Sequence, residues 1–281
     1  MKHNIRLSFE FFPPKTEVGM AKLAETRTSL APLKPEFFSV TYGAGGSTRD
    51  HSRNVVLQTR SAGYDVAPHL SFGGDGEESV LDLLREYQQA GIKRIVALRG
   101  DMPSGMGMAR MAYAIELVGF IRQHFGRQFH LEVAGYPEVH PEAKSYAEDI
   151  RYLKAKLDSG ADSVITQYFY NADAYSWFVE RCRKVGIDAP IYPGVMPITN
   201  YQNLARFSAK CGAEIPRWMA RQLECFAEDS DSIEAFGVDV VSALCEKLLE
   251  AGAPGLHFYT MNLTNPTLNI CKNIGLEAPK D

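Results

Sequence analysis

A single α/β domain over residues 1–281, a (β/α)8 TIM barrel, is the fold class predicted by three features of the sequence. Eight short runs rich in β-branched and aromatic residues recur along the chain, and segments of helical periodicity separate them. The first run is followed by EFFPPK rather than by the glycine-rich turn that opens a dinucleotide-binding sheet. Strand then helix, repeated, implies a parallel sheet. Eight such units in 281 residues match the typical barrel of about 250 residues plus insertions. An open doubly wound sheet is the alternative, and it would ordinarily carry the missing G-x-G-x-x-G.

The runs, in order, also place the unusual residues. RLSFEFF carries Glu10 late in the first strand, and FFSVTYG ends the second at Thr41 and Tyr42. VAPHLSF holds His69, and RIVALRG ends the fourth strand at Arg99 and Gly100, with Asp101 next. HLEVAGY ends at Tyr136 with His140 just beyond, and SVITQYF contains Gln167. IYPGVMPI is the seventh strand, and GLHFYT ends the eighth at Tyr259. Between them, residues 80–89 (VLDLLREYQQ) and 145–157 (SYAEDIRYLKAKL) set Leu or Ile on one helical face and charge on the other. One region departs from the repeat: EIPRWMARQLECF and VDVVSALCEKLLEAG, within residues 214–252, read as extra amphipathic helices before the last strand.

With 45% hydrophobic and 23% charged residues the chain is an ordinary globular sequence rather than a disordered one. Its net charge of −4 supplies no basic footprint for nucleic acid or a membrane surface, so small molecules are the expected partners. No apolar stretch approaches membrane-spanning length and the N-terminus lacks a signal-peptide core, which places the protein in the cytoplasm. The five cysteines are widely spaced and never form C-x-x-C, as expected of reduced structural thiols. Apolar residues such as Trp218 and Met219, taken as exposed, permit a subunit contact and hence a homo-oligomer.

In a barrel the βα loops converge at the C-terminal ends of the strands, where these residues collect. Glu10 stands among Phe9, Phe11 and Phe12. Burial there costs several kcal/mol unless the carboxylate is paired, and should raise its pKa toward that of an acid useful near neutrality. The alternative is a structural Glu bound to a core Arg. His69, Asp101 and His257 together would suit a metal-assisted hydrolase or lyase, but each His is single, without the paired spacing typical of zinc barrels. No G-x-S-x-G or strand-end Cys offers a nucleophile. What remains is an aromatic, hydrogen-bonding pocket with two acids, suited to a large planar cofactor and a planar substrate.

SFEFFPP, SVTYGAGG, APHL, ALRGD, YPEVHPEA, DSGADSVITQ and HFYTMN, in this order over nearly the whole chain, resemble the methylenetetrahydrofolate reductase family in its bacterial catalytic-domain form. The resemblance implies an FAD enzyme that takes hydride from NADH or NADPH by a ping-pong route. It would reduce 5,10-methylenetetrahydrofolate to 5-methyltetrahydrofolate, supplying methyl groups for methionine synthesis. It further implies catalytic roles for Glu10, as general acid, and for Asp101, beside flavin and pterin. Flavin-binding positions would be Thr41, Tyr42, His69, Arg99, Gly100, Asp101, Tyr113, Ala114, Tyr136, His140, Ala143, Asp149 and Lys156, with Arg99 and Lys156 facing the pyrophosphate. Asp101, Gln167, Phe207 and Asn203, with Gln202 as an alternative to Asn203, would meet substrate; no metal is implied. The chain departs from the family pattern at Tyr152, Ala155 and Leu263, where the family often carries Asn, Arg and Arg.

Overall fold

The computed structural model describes residues 5–42, 46–72, 76–100 and 113–277. Eight strands close into one parallel barrel in sequence order: β1 (Arg6–Phe11), β2 (Phe37–Val40), β3 (Val66–Leu70), β4 (Arg94–Ala97), β5 (His130–Gly135), β6 (Ser163–Tyr168), β7 (Ile191–Val195) and β8 (Gly255–Tyr259). Every predicted strand is present, and β8 pairs with β1 to complete the ring. The intervening helices are α1 (Glu17–Leu30), α2 (Gly46–Ser61), α3 (Glu77–Gln89), α4 (Ala114–Phe125), α5 (Tyr146–Asp158), α6 (Ala172–Lys184) and α7 (Tyr201–Cys211). After α7 come α8 (Arg217–Phe226) and α9 (Ser230–Glu250), and α10 (Asn265–Asn273) follows β8.

Local chemistry sets these boundaries. Thr16, Ser145, Asn171, Asn200 and Asp229 each accept a backbone N–H at the start of α1, α5, α6, α7 and α9 respectively, satisfying a donor the helix leaves open. In α8 the expected start at Glu214 is delayed to Arg217, because Pro216 occupies the cap position. α9 begins well before the predicted Val238, and Ile233, Gly237, Val241, Cys245 and Leu248 form its buried stripe. Gly237 is obligatory there: a Cβ would come within 2.4 Å of the Ile198 carbonyl oxygen, so the helix approaches the end of β7 only without a side chain.

Period-two alternation divides each strand between two cores. Leu7, Phe9 and Phe11 face the helical layer, where Phe9 packs 6.0 Å from Phe38 and 5.8 Å from Phe258, ring centre to ring centre. The opposite parity fills the barrel. Its middle is an apolar plug of Phe37, Ala67, Val96, Ile165 and Tyr192. Below the plug, at the N-terminal ends of the strands, Arg94 pairs with the fully buried Glu132 and, at 2.6 Å, with Glu36. Its guanidinium also lies 4.6 Å from the centre of the Phe37 ring. Ser163 donates to Glu132, and His130 Nε2 lies 2.7 Å from the same hydroxyl. Burial pushes the Glu132 carboxyl up, but His130, Arg94 and Ser163 together hold it below its ordinary value.

Removing one partner of such a buried pair strands the other charge. Arg94→Met should therefore cost about 3–5 kcal/mol at neutral pH, read from urea unfolding. Because Glu132 is depressed in the folded protein, its contribution is present above the unfolded carboxyl pKa and is lost in acid. The difference between wild type and variant should shrink as pH falls below that value; an equal denaturation midpoint at neutral pH would contradict the assignment.

Candidate active site

Above the apolar plug, three strands bring one carboxylate and two imidazoles together. Glu10 of β1 pairs in register with Ser39 of β2 and Tyr259 of β8, and Ser8 pairs with His257. Glu10 Oε2 lies 3.4 Å from His257 Nε2 and 3.2 Å from His69 Nε2 of β3. The His257 contact is hydrogen-bonded; the His69 nitrogen is off line and acts by charge. On its far side His257 places Nδ1 2.7 Å from Ser8 Oγ. With Nε2–H donating to the carboxylate, Nδ1 accepts from the serine hydroxyl; in the imidazolium both nitrogens donate. The result is a chain from buried Ser8 and His257 to part-buried Glu10. Tyr259 closes the layer: its hydroxyl donates to the Thr166 carbonyl at 2.7 Å, and its ring fits because residue 194 is glycine. A Cβ there would fall 2.5 Å from the ring and 2.2 Å from the Thr166 oxygen.

These contacts overturn the expectation of a raised Glu10 pKa. Burial is the largest single influence and does push the carboxyl up. The charge of His69, with the hydrogen bond and charge of His257, outweighs it and brings the group down to about 2. Glu10 is therefore the ionised member of a carboxylate–imidazole cluster. Nor is it the structural Glu bound to Arg, which is the position Glu132 occupies. Two buried polar atoms of the same interior region, Ser39 Oγ and His69 Nε2, have no hydrogen-bond partner among the described residues.

A second group assembles beyond β4 and β5. Arg99 is paired through both arms with Glu142, at 2.5 and 2.7 Å, and this hydrogen bond raises its pKa. Tyr136 and His140 meet edge to face at 4.5 Å, His140 N donates to Asp149 at 3.0 Å, and Ala143 N donates to the His140 carbonyl at 2.9 Å. Val139 in this turn has φ of +73°, a conformation costly for a β-branched residue and typical of functional turns. Lys156 Nζ donates to the Ala134 carbonyl at 2.5 Å; burial pushes the ammonium down to about 8, with Asp149 opposing. Burial likewise lowers His140 and raises Asp149. Tyr113 precedes α4 and is exposed, while Ala114 is buried at its start. Thr41 and Tyr42 follow the last residue of β2, and Gly100 lies beyond the end of β4.

Gln167 lines a small cavity with Tyr136 and Val139 of this second group. Asp101 is outside the described residues. Gln167 sits at a register shift in β6, its Oε1 accepting the Tyr168 N–H at 3.0 Å, which leaves the amide nitrogen to donate elsewhere. Asn203 and Phe207 occupy the exposed face of α7, one turn apart, with Asn203 Oδ1 accepting from Arg206. Among the described residues no hydrogen bond joins either to the Glu10 cluster. Gln202 is exposed as well. Tyr152 is exposed on α5, Ala155 is half-buried, and Leu263 is half-buried with its N–H on the Thr260 carbonyl at 2.9 Å. Met219 proves fully buried, so of the two residues proposed for a subunit contact only Trp218 is exposed. Among the described residues no group of three or more His, Cys, Asp or Glu is placed to hold a metal ion, and no helix is long and apolar enough to cross a membrane.

Ser8 was not anticipated, and His257 was anticipated only as a metal ligand. The signal was present in the alternation: Ser8 and Glu10 share one face of β1, and His257 and Tyr259 share one face of β8.

The family model described as methylenetetrahydrofolate reductase matches residues 1–275. The chain is 38% identical to 5,10-methylenetetrahydrofolate reductase of Salmonella typhimurium, over 97% of this chain and 91% of that protein. It is 37% identical to methylenetetrahydrofolate reductase (NADH) 1 of Arabidopsis thaliana, over 96% of this chain but 48% of that protein, so it spans about half the length of this plant relative. Among solved structures, an uncharacterized protein from Clostridium thermocellum that binds two copies of 5-methyl-5,6,7,8-tetrahydrofolic acid shares the fold, with TM-score 0.65 and 16% identity over 96% of this chain and 93% of that one. With a match that extends from the first strand through α10, the chain belongs to the methylenetetrahydrofolate reductase family.

Proposed function

We propose that the chain reduces 5,10-methylenetetrahydrofolate to 5-methyltetrahydrofolate, with NADH or NADPH as hydride source and FAD as the carrier between them, and so feeds methyl groups toward methionine. The observation that carries this reading is the Glu10–His257–Ser8 chain at the mouth of a barrel that presents Arg99 beyond β4 and Lys156 on α5. Two cations beside a tyrosine–histidine pair suit the diphosphate and planar ring system of FAD. Arg99, His140, Asp149 and Lys156 are the residues that would hold it; bound there, it supplies two-electron transfer between nicotinamide and folate.

The chain's own contribution is the proton. Opening the methylene bridge of the folate breaks a carbon–nitrogen bond, and the departing nitrogen needs a proton as its electron pair is released. Glu10, ionised and hydrogen-bonded to His257, receives that proton from the imidazolium and passes it on, while Ser8 holds the ring in the orientation that keeps Nε2 toward the carboxylate. Reduction of the resulting cationic carbon completes the change from methylene to methyl. The relatives' printed names and the folate bound by the Clostridium thermocellum protein support folate as the substrate class.

The purified protein should be yellow, bleach anaerobically with NADH or NADPH, and recover its colour with methylenetetrahydrofolate; a colourless, flavin-free protein would contradict the proposal. Glu10→Gln should keep the flavin and its bleaching by the nicotinamide but slow the folate step by about 10²–10⁴-fold, the usual worth of general acid catalysis. An equal loss in both steps would make Glu10 a scaffold residue.

Lys156→Ala should weaken FAD binding by roughly 1.5–3 kcal/mol, the range for a hydrogen bond to a charged group. Its melting temperature should then fall chiefly when FAD is limiting. Equal destabilisation with and without FAD would assign Lys156 to the scaffold through its bond to Ala134.

A further inference from the structure

Regular pairing between β1 and β8 ends at Glu10 and Tyr259, yet the carboxylate must be held to within a fraction of an ångström of two histidines. Beyond this point β1 keeps its β2 neighbour, the Phe11 carbonyl accepting the Thr41 N–H at 2.9 Å, but has no regular partner on the β8 side. Phe12 is exposed, and Pro13 and Pro14 carry no N–H with which to extend a ladder. The anchor comes instead from the loop after β8. The Thr260 hydroxyl donates to the Glu10 carbonyl at 2.7 Å and accepts the Asn262 N–H at 3.1 Å. The Asn262 side chain then takes both backbone groups of Phe12: Oδ1 accepts its N–H at 3.1 Å and Nδ2 donates to its carbonyl at 2.8 Å. One amide thus stands in for the missing strand partner. The loop reaches this geometry through left-handed backbone at two successive residues, Met261 with φ of +53° and Asn262 with φ of +57°. Asn tolerates that conformation and Met does not, so the strain at Met261 persists only because the surrounding bonds over-determine the turn. Thr26 of α1 adds a bond of 3.4 Å to the Asn262 carbonyl.

We propose that Asn262, acting with Thr260, is a positioning residue for proton delivery, fixing the end of β1 so that Glu10 meets His257 and His69. The inference rests on the reading of Glu10 as the group that delivers the proton. It touches neither hydride transfer into the flavin nor the cations beyond β4 and β5.

The test is Asn262→Gly in the full chain, because glycine adopts the left-handed backbone freely and removes only the side-chain clip. Flavin content and the rate of flavin reduction by NADH should match wild type, while the single-turnover rate with methylenetetrahydrofolate falls about 10- to 100-fold, as misplacement of a reacting group does. Amide exchange at Phe12, which reads the clip without reference to activity, should accelerate. Asn262→Asp keeps the acceptor for the Phe12 N–H and tolerates the same backbone, so its folate rate should lie between the two. A wild-type folate rate in Asn262→Gly despite faster Phe12 exchange would overturn the inference, as would an equal loss in both half-reactions. If instead the wild-type protein is reduced by NADH and never reoxidised by the folate, the functional reading itself fails and takes the inference with it.

Discussion

A charged carboxylate largely withdrawn from water inside a closed barrel is the constraint around which the C-terminal end of the barrel is arranged. Taking Glu10 out of water costs several kcal/mol, and the cost is offset only because His69 and His257 come within 3.2 and 3.4 Å. That proximity depends on closure. β3 and β8 lie on either side of the β1–β2 pair, and β8 reaches Glu10 only by pairing with β1 as the last strand of the ring. Packing outside the ring secures the same seam, where Phe9 contacts Phe258 and Phe38 at once. Gly255 lets β8 approach closely, since a Cβ would fall 2.2 Å from the Arg6 carbonyl oxygen.

Glu132 and Glu10, at opposite ends of the barrel interior, are bound by different kinds of cation. Glu132, below the apolar plug, is bound by Arg94, which stays charged at any working pH, so that end is electrostatically fixed. Glu10, above the plug, is bound by the imidazoles of His257 and His69 instead of a guanidinium. Phe37, Ala67, Val96, Ile165 and Tyr192 separate the two networks. On the proposed function, stability and reactivity fall at opposite ends of one interior, as expected when function gathers where the βα loops converge.

Much of the fold was legible because its signals are local. All eight strands announce themselves by β-branched and aromatic runs, and the caps at Thr16, Ser145 and Asn200 are side chains of the types that cap helices. The burial of Met219 was not, since it depends on how the extra helices pack against the barrel, whereas the start of α8 at Arg217 follows from Pro216 at its cap, a local signal. At the site, the sequence identified Glu10 but gave it the wrong protonation state. Desolvation can be judged from neighbours in the chain; partners supplied by β3 and β8 cannot be placed without register. The same limit hid Ser8 and the Asn262 clip, whose contacts span about the full length of the chain.

The central claim is that Glu10 is ionised between its histidines, so that the proton it passes on is drawn from His257. Infrared spectroscopy of protein carrying isotope-labelled glutamate, with the Glu10→Gln spectrum subtracted, reads that carboxyl alone. At about pH 4, near the ordinary glutamate value, a group lowered by two imidazoles gives the signal of a fully ionised carboxylate. A protonated carboxyl signal at that pH, persisting as pH rises toward neutrality, would contradict the account and restore the desolvated acid that burial alone would produce.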